Sequence, residues 1–343
     1  MYEKQLAATA TQMIAPGKGL LAADESTPTM AKRLAQVGLD NTVRHRLSFR
    51  QALFETTGLE EFISAVILFE ETLEQRSPEG RRLTDILLAK GILPGIKVDQ
   101  GTQVMPTSPS ETTTRGLDDL PQRCERYHRL GARFAKWRAV ITIGPGLPTT
   151  HCINANAEQL ARYAAIAQNK GLVPIVEPEV LMEGSHTIDT CYEVTQQTLA
   201  TVFAALKAAD VYLPGMLLKP NMVLAGQSCQ QQANPHQVAE MTLRCLHATV
   251  PAAVPGLVFL SGGQSEIEAT RNLNAINSQA IYPWALSFSF GRALQQTALR
   301  TWRGNPAKRH AAQAALLHRA KMSSRACLGT YTPALEQQAS SAA

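Results

Sequence analysis

Three lysines, two arginines and three carboxylates recur in this chain at one kind of position, the end of a short apolar run. The run ends read Asp24-Glu25-Ser26, Glu70, Lys97-Val98-Asp99, Lys136-Trp137-Arg138, Glu177-Pro178-Glu179, Lys219-Pro220-Asn221, Ser261-Gly262-Gly263 and Gly291-Arg292. A lone lysine near a strand end ordinarily snorkels to solvent. Lys97, Lys136, Lys219, Arg138, Arg292, Asp24, Glu177 and Glu179 converging on one space would be costly to bury without a purpose. Because strand side chains alternate faces, Lys136 is expected to share a face with Arg138, Glu177 with Glu179, and Lys219 with Asn221. Several lysines in one apolar pocket point to Schiff-base chemistry, since a neighbouring cation and desolvation both favour a neutral, nucleophilic amine. Lys219 fits the nucleophile: it follows Met216, Leu217 and Leu218 and precedes Pro220, which prevents an early helix start. Lys136 is its expected electrostatic partner. Asp24, Glu177 and Glu179 supply acid and base for carbinolamine formation, dehydration and proton transfer, although each alone could serve as a structural ion-pair partner.

A second group suits phosphate. Ser261-Gly262-Gly263 and Gly291-Arg292 offer backbone N–H donors and a guanidinium after the seventh and eighth runs, where parallel barrels commonly bind phosphate. A second anion would meet Lys97, Arg138 and Ser26, or Arg33 and Arg46, for which a solvated helix face is the competing reading. The eight histidines show no HxH or HExxH spacing, so no metal site is expected.

These residues need a scaffold that brings successive strand ends together. Eight apolar runs, at 19–23, 62–69, 93–98, 134–143, 172–176, 216–218, 256–260 and 284–290, alternate with helix-period stretches such as 157–171 and 198–210. That pattern predicts a single (β/α)8 barrel over 1–332, with a doubly wound sheet as the competing architecture. Asn156, Asn234 and Ser265 are expected N-caps, and Gly91, Gly131 and Gly171 expected helix ends. An extra helix near 306–322 should pack outside the barrel, and a small, polar, flexible tail is expected over 333–343.

Composition agrees with an ordinary soluble globular chain. The 343 residues are 45% hydrophobic and 18% charged, with 33 basic against 28 acidic residues giving +5. That charge is too mild for a nucleic-acid coat and compatible with an anionic small molecule. The six cysteines form no CxxC pair, so reduced cytoplasmic thiols are expected. No run approaches membrane-spanning length and the first residues lack a basic n-region, so neither a membrane partner nor a secretory signal is expected. GxGxxG and Walker signatures are absent.

The motifs GKGLLAADES (17–26), AKRL (31–34), GIKVDQG (95–101), ETTTRGLDDL (111–120), FAKWR (134–138), IVEPEVL (175–181), LLKPNM (217–222), FLSGGQSEIEA (259–269), LNAIN (273–277) and PWALSFSFGRALQ (283–295) together closely resemble class I, Schiff-base fructose-1,6-bisphosphate aldolases, from about residue 17 to 333. The resemblance implies reversible cleavage to dihydroxyacetone phosphate and glyceraldehyde 3-phosphate without metal or organic cofactor, by a cytoplasmic homotetramer. It implies Lys219 as the imine-forming lysine, Glu177 as general acid and base, Glu179 assisting the lysine, Asp24 orienting the hydroxyl whose deprotonation breaks the carbon–carbon bond, and Lys136 supporting the imine steps. Ser261, Gly262, Gly291 and Arg292 are implied at one phosphate, Arg33, Lys97 and Arg138 nearer the other, and Arg46 as an outer contact.

The chain departs from the family pattern twice. It ends in Ser340-Ser341-Ala342-Ala343, where animal and plant members commonly end in tyrosine, the last tyrosine here being Tyr331; slower enamine protonation is the corresponding expectation. Pro28-Thr29 stands where Gly-Ser is more common, which bears on mono- against bisphosphate preference. Aldolases of the same mechanism acting on sedoheptulose bisphosphate or fructose 1-phosphate are the nearest alternatives. A non-catalytic phosphosugar-binding scaffold or a phosphosugar isomerase has less need of an amine nucleophile.

Overall fold

A computed structural model describes residues 2–279 and 282–339. Its centre is a closed parallel barrel of β1 (Gly19–Ala23), β2 (Ile63–Leu68), β3 (Leu93–Lys97), β4 (Phe134–Ile141), β5 (Val173–Val180), β6 (Leu217–Leu218), β7 (Gly256–Phe259) and β8 (Ala285–Phe290). Each strand pairs with the next in sequence, and β1 closes the ring against β8. The expected (β/α)8 barrel is therefore the observed one. Short, mostly apolar strands alternating with amphipathic helices have both faces to bury, and a ring with helices outside satisfies them all.

Two cores result. One fills the barrel: Leu20, Ala22, Ala65, Ile67, Leu93, Phe134, Val173, Ile175, Leu217 and Val258 pack with Leu6, Ala10 and Met13 of the N-terminal helix Glu3–Met13. That helix lies under the strand starts, where the Met13 carbonyl accepts from Ser64 Oγ and Ile14 packs beside Gly256. With this end plugged, the charged residues gather at the opposite end, the C-terminal strand ends. The second core, with Trp137, Phe288 and Phe290, joins the barrel to the outer helices.

Gly95 shows how tightly the interior is filled. A Cβ there would lie 2.2 Å from the Phe134 ring, which is fully buried. Gly95→Ala should cost about 1–3 kcal/mol through overpacking, seen as a lower denaturation midpoint; an unchanged midpoint would mean that the ring has room to move.

Several local expectations are corrected. β5 continues four residues past the expected end at 176, so Glu177 and Glu179 stand within the strand. Pro178 is tolerated there because the two-residue β6 pairs only with Ile175 and Val176. Lys219 N donates to the Val176 carbonyl, so Pro178, two residues on, faces the β6 side beyond the end of that ladder. The same shortness defeats the expected pairing of Lys219 with Asn221. Alternation lapses at Pro220, and Asn221 instead donates to Thr195 Oγ1 on the helix Ile188–Ala208 and accepts from Val180 N.

Asn234 and Ser265 are N-caps, both with capping boxes. Asn156, however, lies inside the helix Thr150–Asn169, capped by Thr149. Its amide donates to the Thr112 carbonyl of an antiparallel hairpin, Thr102–Met105 with Ser108–Thr114, that the periodicity did not reveal. Gly91, Gly131 and Gly171 all have positive φ just beyond helix ends.

The outer helix spans Arg309–Cys327. In the tail, Pro333–Ala339 forms a 3-10 segment where only a flexible stretch was expected. Glu336 anchors it, accepting from Arg319 Nη1 at 2.6 and 2.7 Å and from Tyr331 Oη at 3.0 Å, with His318 Nε2 at 2.9 Å. One carboxylate gathering these partners overrides a low-propensity sequence. The Ser340-Ser341-Ala342-Ala343 ending lies outside the described residues. Among the described residues no helix is long and apolar enough to cross a membrane.

Candidate active site

The open end of the barrel brings four of the expected residues into one contact chain. Lys136 Nζ lies 2.7 Å from Asp24 Oδ2 and 3.2 Å from Glu177 Oε2, and Lys219 Nζ lies 2.9 Å from Glu177 Oε1. The chain crosses the mouth from β1 through β4 and β5 to β6. Lys136, Glu177 and Lys219 have side chains only 4–5% exposed, and Asp24 12%. Glu177 Oε2 is buried and, despite the nearby ammonium, accepts no aligned hydrogen bond.

Burial alone would push the Asp24 carboxyl up; the neighbouring Lys136 and Lys219 overcome this and hold it at about 2. For Glu177, too, burial opposes ionisation, and Lys136, Lys219 and Arg138 reverse it, so its carboxyl lies below the ordinary value. Burial disfavours the Lys136 ammonium, but Asp24 and Glu177 outweigh it and raise its pKa. Near neutral pH Asp24 and Glu177 are thus carboxylates, and Lys136 is a cation held between them.

Higher in the mouth, Arg138 Nε donates to Glu179 Oε2. Lys136 is in register with Ile175 and Arg138 with Glu177. The two carboxylates of β5 thereby divide: Glu177 serves the lysines, while Glu179 holds the arginine. Lys97, in register with Lys136, donates to the Asp99 carbonyl at 2.8 Å and to its carboxylate. Asp99 Oδ2 also accepts from Arg138 N at 3.3 Å. Lys97, Arg138, Ser26 and Thr29 line a cavity of about 530 Å³ extending from the mouth toward Gln100 and Tyr127.

The expected phosphate group assembles on the opposite side. Gly262 has φ +56°, and its carbonyl accepts from Arg292 Nη2. Gly291 is the N-cap of the helix Arg292–Trp302 and supplies no side-chain cap. A helix start leaves its first N–H groups without intrahelical partners and carries the positive end of the dipole, and the Arg292 contact brings this start beside Gly262. At Gly291 a Cβ would come within 3.3 Å of the Ala22 carbonyl.

Arg33 and Arg46 occupy a different environment from the solvated face considered for them. Both are buried, at 5% and 7% exposure. Arg46 Nε and Nη2 lie 2.9 and 2.6 Å from Glu71, and Arg50 joins the same carboxylate at 3.1 Å. Arg33 Nη1 donates to Glu25, leaving Nε and Nη2 buried without partners. The groups holding these residues are Asp99, Glu71, Glu25 and Gln295; Asp99 and Glu25 stand among the run ends without an assigned role, and Glu71 and Gln295 were not singled out by the sequence. Glu25 and Gln295 lie within the quoted AADES and GRALQ motifs, but nothing in their type or spacing signalled the contacts. Among the described residues no three His, Cys, Asp or Glu side chains are grouped to hold a metal ion.

Comparison with known proteins extends this geometry to a whole-chain likeness. A sequence model of the family described as "Fructose-bisphosphate aldolase class-I" matches residues 5–343. A Xanthomonas axonopodis pv. citri protein named "Probable fructose-bisphosphate aldolase class 1" is 51% identical over 335 residues, covering 96% of this chain and 99% of its own. "Fructose-bisphosphate aldolase 6, cytosolic" of Arabidopsis thaliana is 53% identical over 331 residues, covering 96% and 92%. The solved structure of the Plasmodium falciparum aldolase, in complex with TRAP and a small-molecule inhibitor, superposes with a TM-score of 0.96 at 50% identity, covering 96% of each chain. A barrel with this mouth, matched over nearly its full length, belongs to the class-I fructose-bisphosphate aldolase family.

Proposed function

We propose that this aldolase cleaves fructose 1,6-bisphosphate through an imine on Lys219, with Glu177 moving the protons. The observation that carries the reading is one buried carboxylate between two buried amines, 2.9 Å from Lys219 Nζ and 3.2 Å from Lys136 Nζ. Glu177 Oε1 is placed to take a proton from Lys219, freeing the lone pair that attacks the ketose carbonyl. The same group returns the proton as the carbinolamine loses water. Lys136, kept cationic, stabilises the oxygen that becomes negative during attack.

Asp24, held ionised, can only accept hydrogen bonds at its carboxylate. That suits it to orient the hydroxyl whose proton leaves to Glu177 as the bond between carbons three and four breaks. The bonding electrons pass into the protonated imine, glyceraldehyde 3-phosphate departs, and the enamine is protonated and hydrolysed to dihydroxyacetone phosphate. Ser261, Gly262, Gly291 and Arg292 receive one phosphate; Lys97 and Arg138 meet the other. Glu179 acts by fixing Arg138, and Arg33 and Arg46 act from behind the mouth through Glu25 and Glu71. A homotetramer is the assembly that the family resemblance implies, and the relative named cytosolic supports a cytoplasmic location.

The test is reductive trapping. The protein is incubated with dihydroxyacetone phosphate or fructose 1,6-bisphosphate in the presence of a chelator, reduced with borohydride, and mapped by peptide mass spectrometry. The adduct is expected on Lys219. An adduct on Lys136 or Lys97 would overturn the assigned roles, and no adduct from folded, active protein would overturn the imine.

A further inference from the structure

The β1–β8 ladder stops at Leu21 and Phe290, because the chain turns at Gly291 into the helix Arg292–Trp302. Asp24 therefore lies three residues beyond the last backbone pairing on that side. Gln295, one turn into the helix and 1% exposed, replaces the missing ladder. Its Nε2 donates to the Ala22 carbonyl at 2.6 Å and to Glu25 Oε1 at 3.0 Å. These acceptors flank Asp24 on either side in sequence. Its Oε1 accepts from Arg33 Nη1 at 3.4 Å, and its backbone N donates to the Gly291 carbonyl at 3.1 Å. A single buried amide thus joins the helix start carrying Gly291 and Arg292 to the strand end carrying Asp24.

We infer that Gln295 is a positioning residue for the bond-breaking step, setting Asp24 against Lys136 and tying that geometry to the phosphate-binding helix start. The inference rests on the aldolase reading above. Asp24 has a fixed target, Lys136 Nζ at 2.7 Å, while its own strand end has lost backbone support from β8. Gln295 restores that support through side-chain hydrogen bonds whose geometry is fixed by burial. A misplacement of about 1 Å at a reacting group can cost on the order of a hundredfold in rate. The imine-forming contact between Lys219 and Glu177 includes none of these partners, so the two stages of the reaction should respond differently.

The test uses two variants of the full chain. Gln295→Met preserves length and loses the amide; Gln295→Glu preserves shape and the acceptor toward Arg33 but loses both donations. Each should lower kcat for fructose 1,6-bisphosphate between about tenfold and a hundredfold, with KM within about twofold. The yield of reduced dihydroxyacetone phosphate adduct on Lys219 should match that of the parent. Placed in an Asp24→Asn background, either change should have little further effect, because both act through one group. Losses that multiply instead, a loss confined to KM, or parent-like kcat in either folded variant would overturn the inference. If one variant does not fold, the other decides by the same readings. Failure of the aldolase reading is distinguishable, since the parent itself would then yield no Lys219 adduct.

Discussion

Lys219→Met should abolish both the borohydride-trapped adduct and measurable cleavage, with kcat/KM down by on the order of 10⁴ or more, as expected when a covalent nucleophile is removed. The methionine follows much of the lysine's buried path, so the site should keep its shape. Glu177 loses its 2.9 Å partner but keeps Lys136 at 3.2 Å, which limits the cost of leaving a buried carboxylate behind. The discriminating measurement is single-turnover kinetics on protein whose unfolding transition remains cooperative. Retention of a tenth of the parent rate, or an adduct persisting at another lysine, would remove Lys219 from its assigned place.

Glu177→Gln is expected to lower kcat by about 10² to 10⁴, the range typical of a general acid–base group, while leaving KM nearly unchanged. The amide matches the carboxylate in shape but can neither take the Lys219 proton nor return it. An adduct should still map to Lys219, accumulating far more slowly than in the parent because attack and dehydration have lost their proton carrier. Pre-steady-state trapping over time separates this from a binding defect. A slow adduct with low kcat supports the role; a full-speed adduct with low kcat would confine Glu177 to the later steps. Parent-like kcat would leave the proton transfers to another group.

Much of this site was legible because barrel topology converts one-dimensional position into three-dimensional convergence. Asp24, Glu177 and Lys219 lie just past the ends of three apolar runs, whereas Lys136 is the third residue of β4 and reaches the mouth because it is level with Lys97 at the end of β3. Once those runs form a ring, their ends share a mouth. The division of labour between Glu177 and Glu179 was not legible. It depends on stagger between strands, which places Arg138 level with Glu177 and Lys136 level with Ile175. Two carboxylates with the same parity on the same strand look alike in the sequence. Arg33 and Arg46 were ambiguous for a related reason: a basic residue on a short helix reads as solvated until its acidic partner, distant in the chain, is known. Arg46 meets Glu71 across 25 residues, and Gln295 meets Ala22 across 273.

By itself, the sequence determined eight βα units, the charged strand ends and the family motifs, since these follow from local periodicity and long contiguous stretches, and it favoured a barrel over a doubly wound sheet without closing the ring. Tertiary structure alone decided which carboxylate serves which amine and how the tail is anchored. It also decided that an amide on the last barrel helix supports the end of the first strand. Such contacts depend on interstrand register, on closure of the ring and on side chains meeting across long sequence separations, and no local pattern encodes the partner.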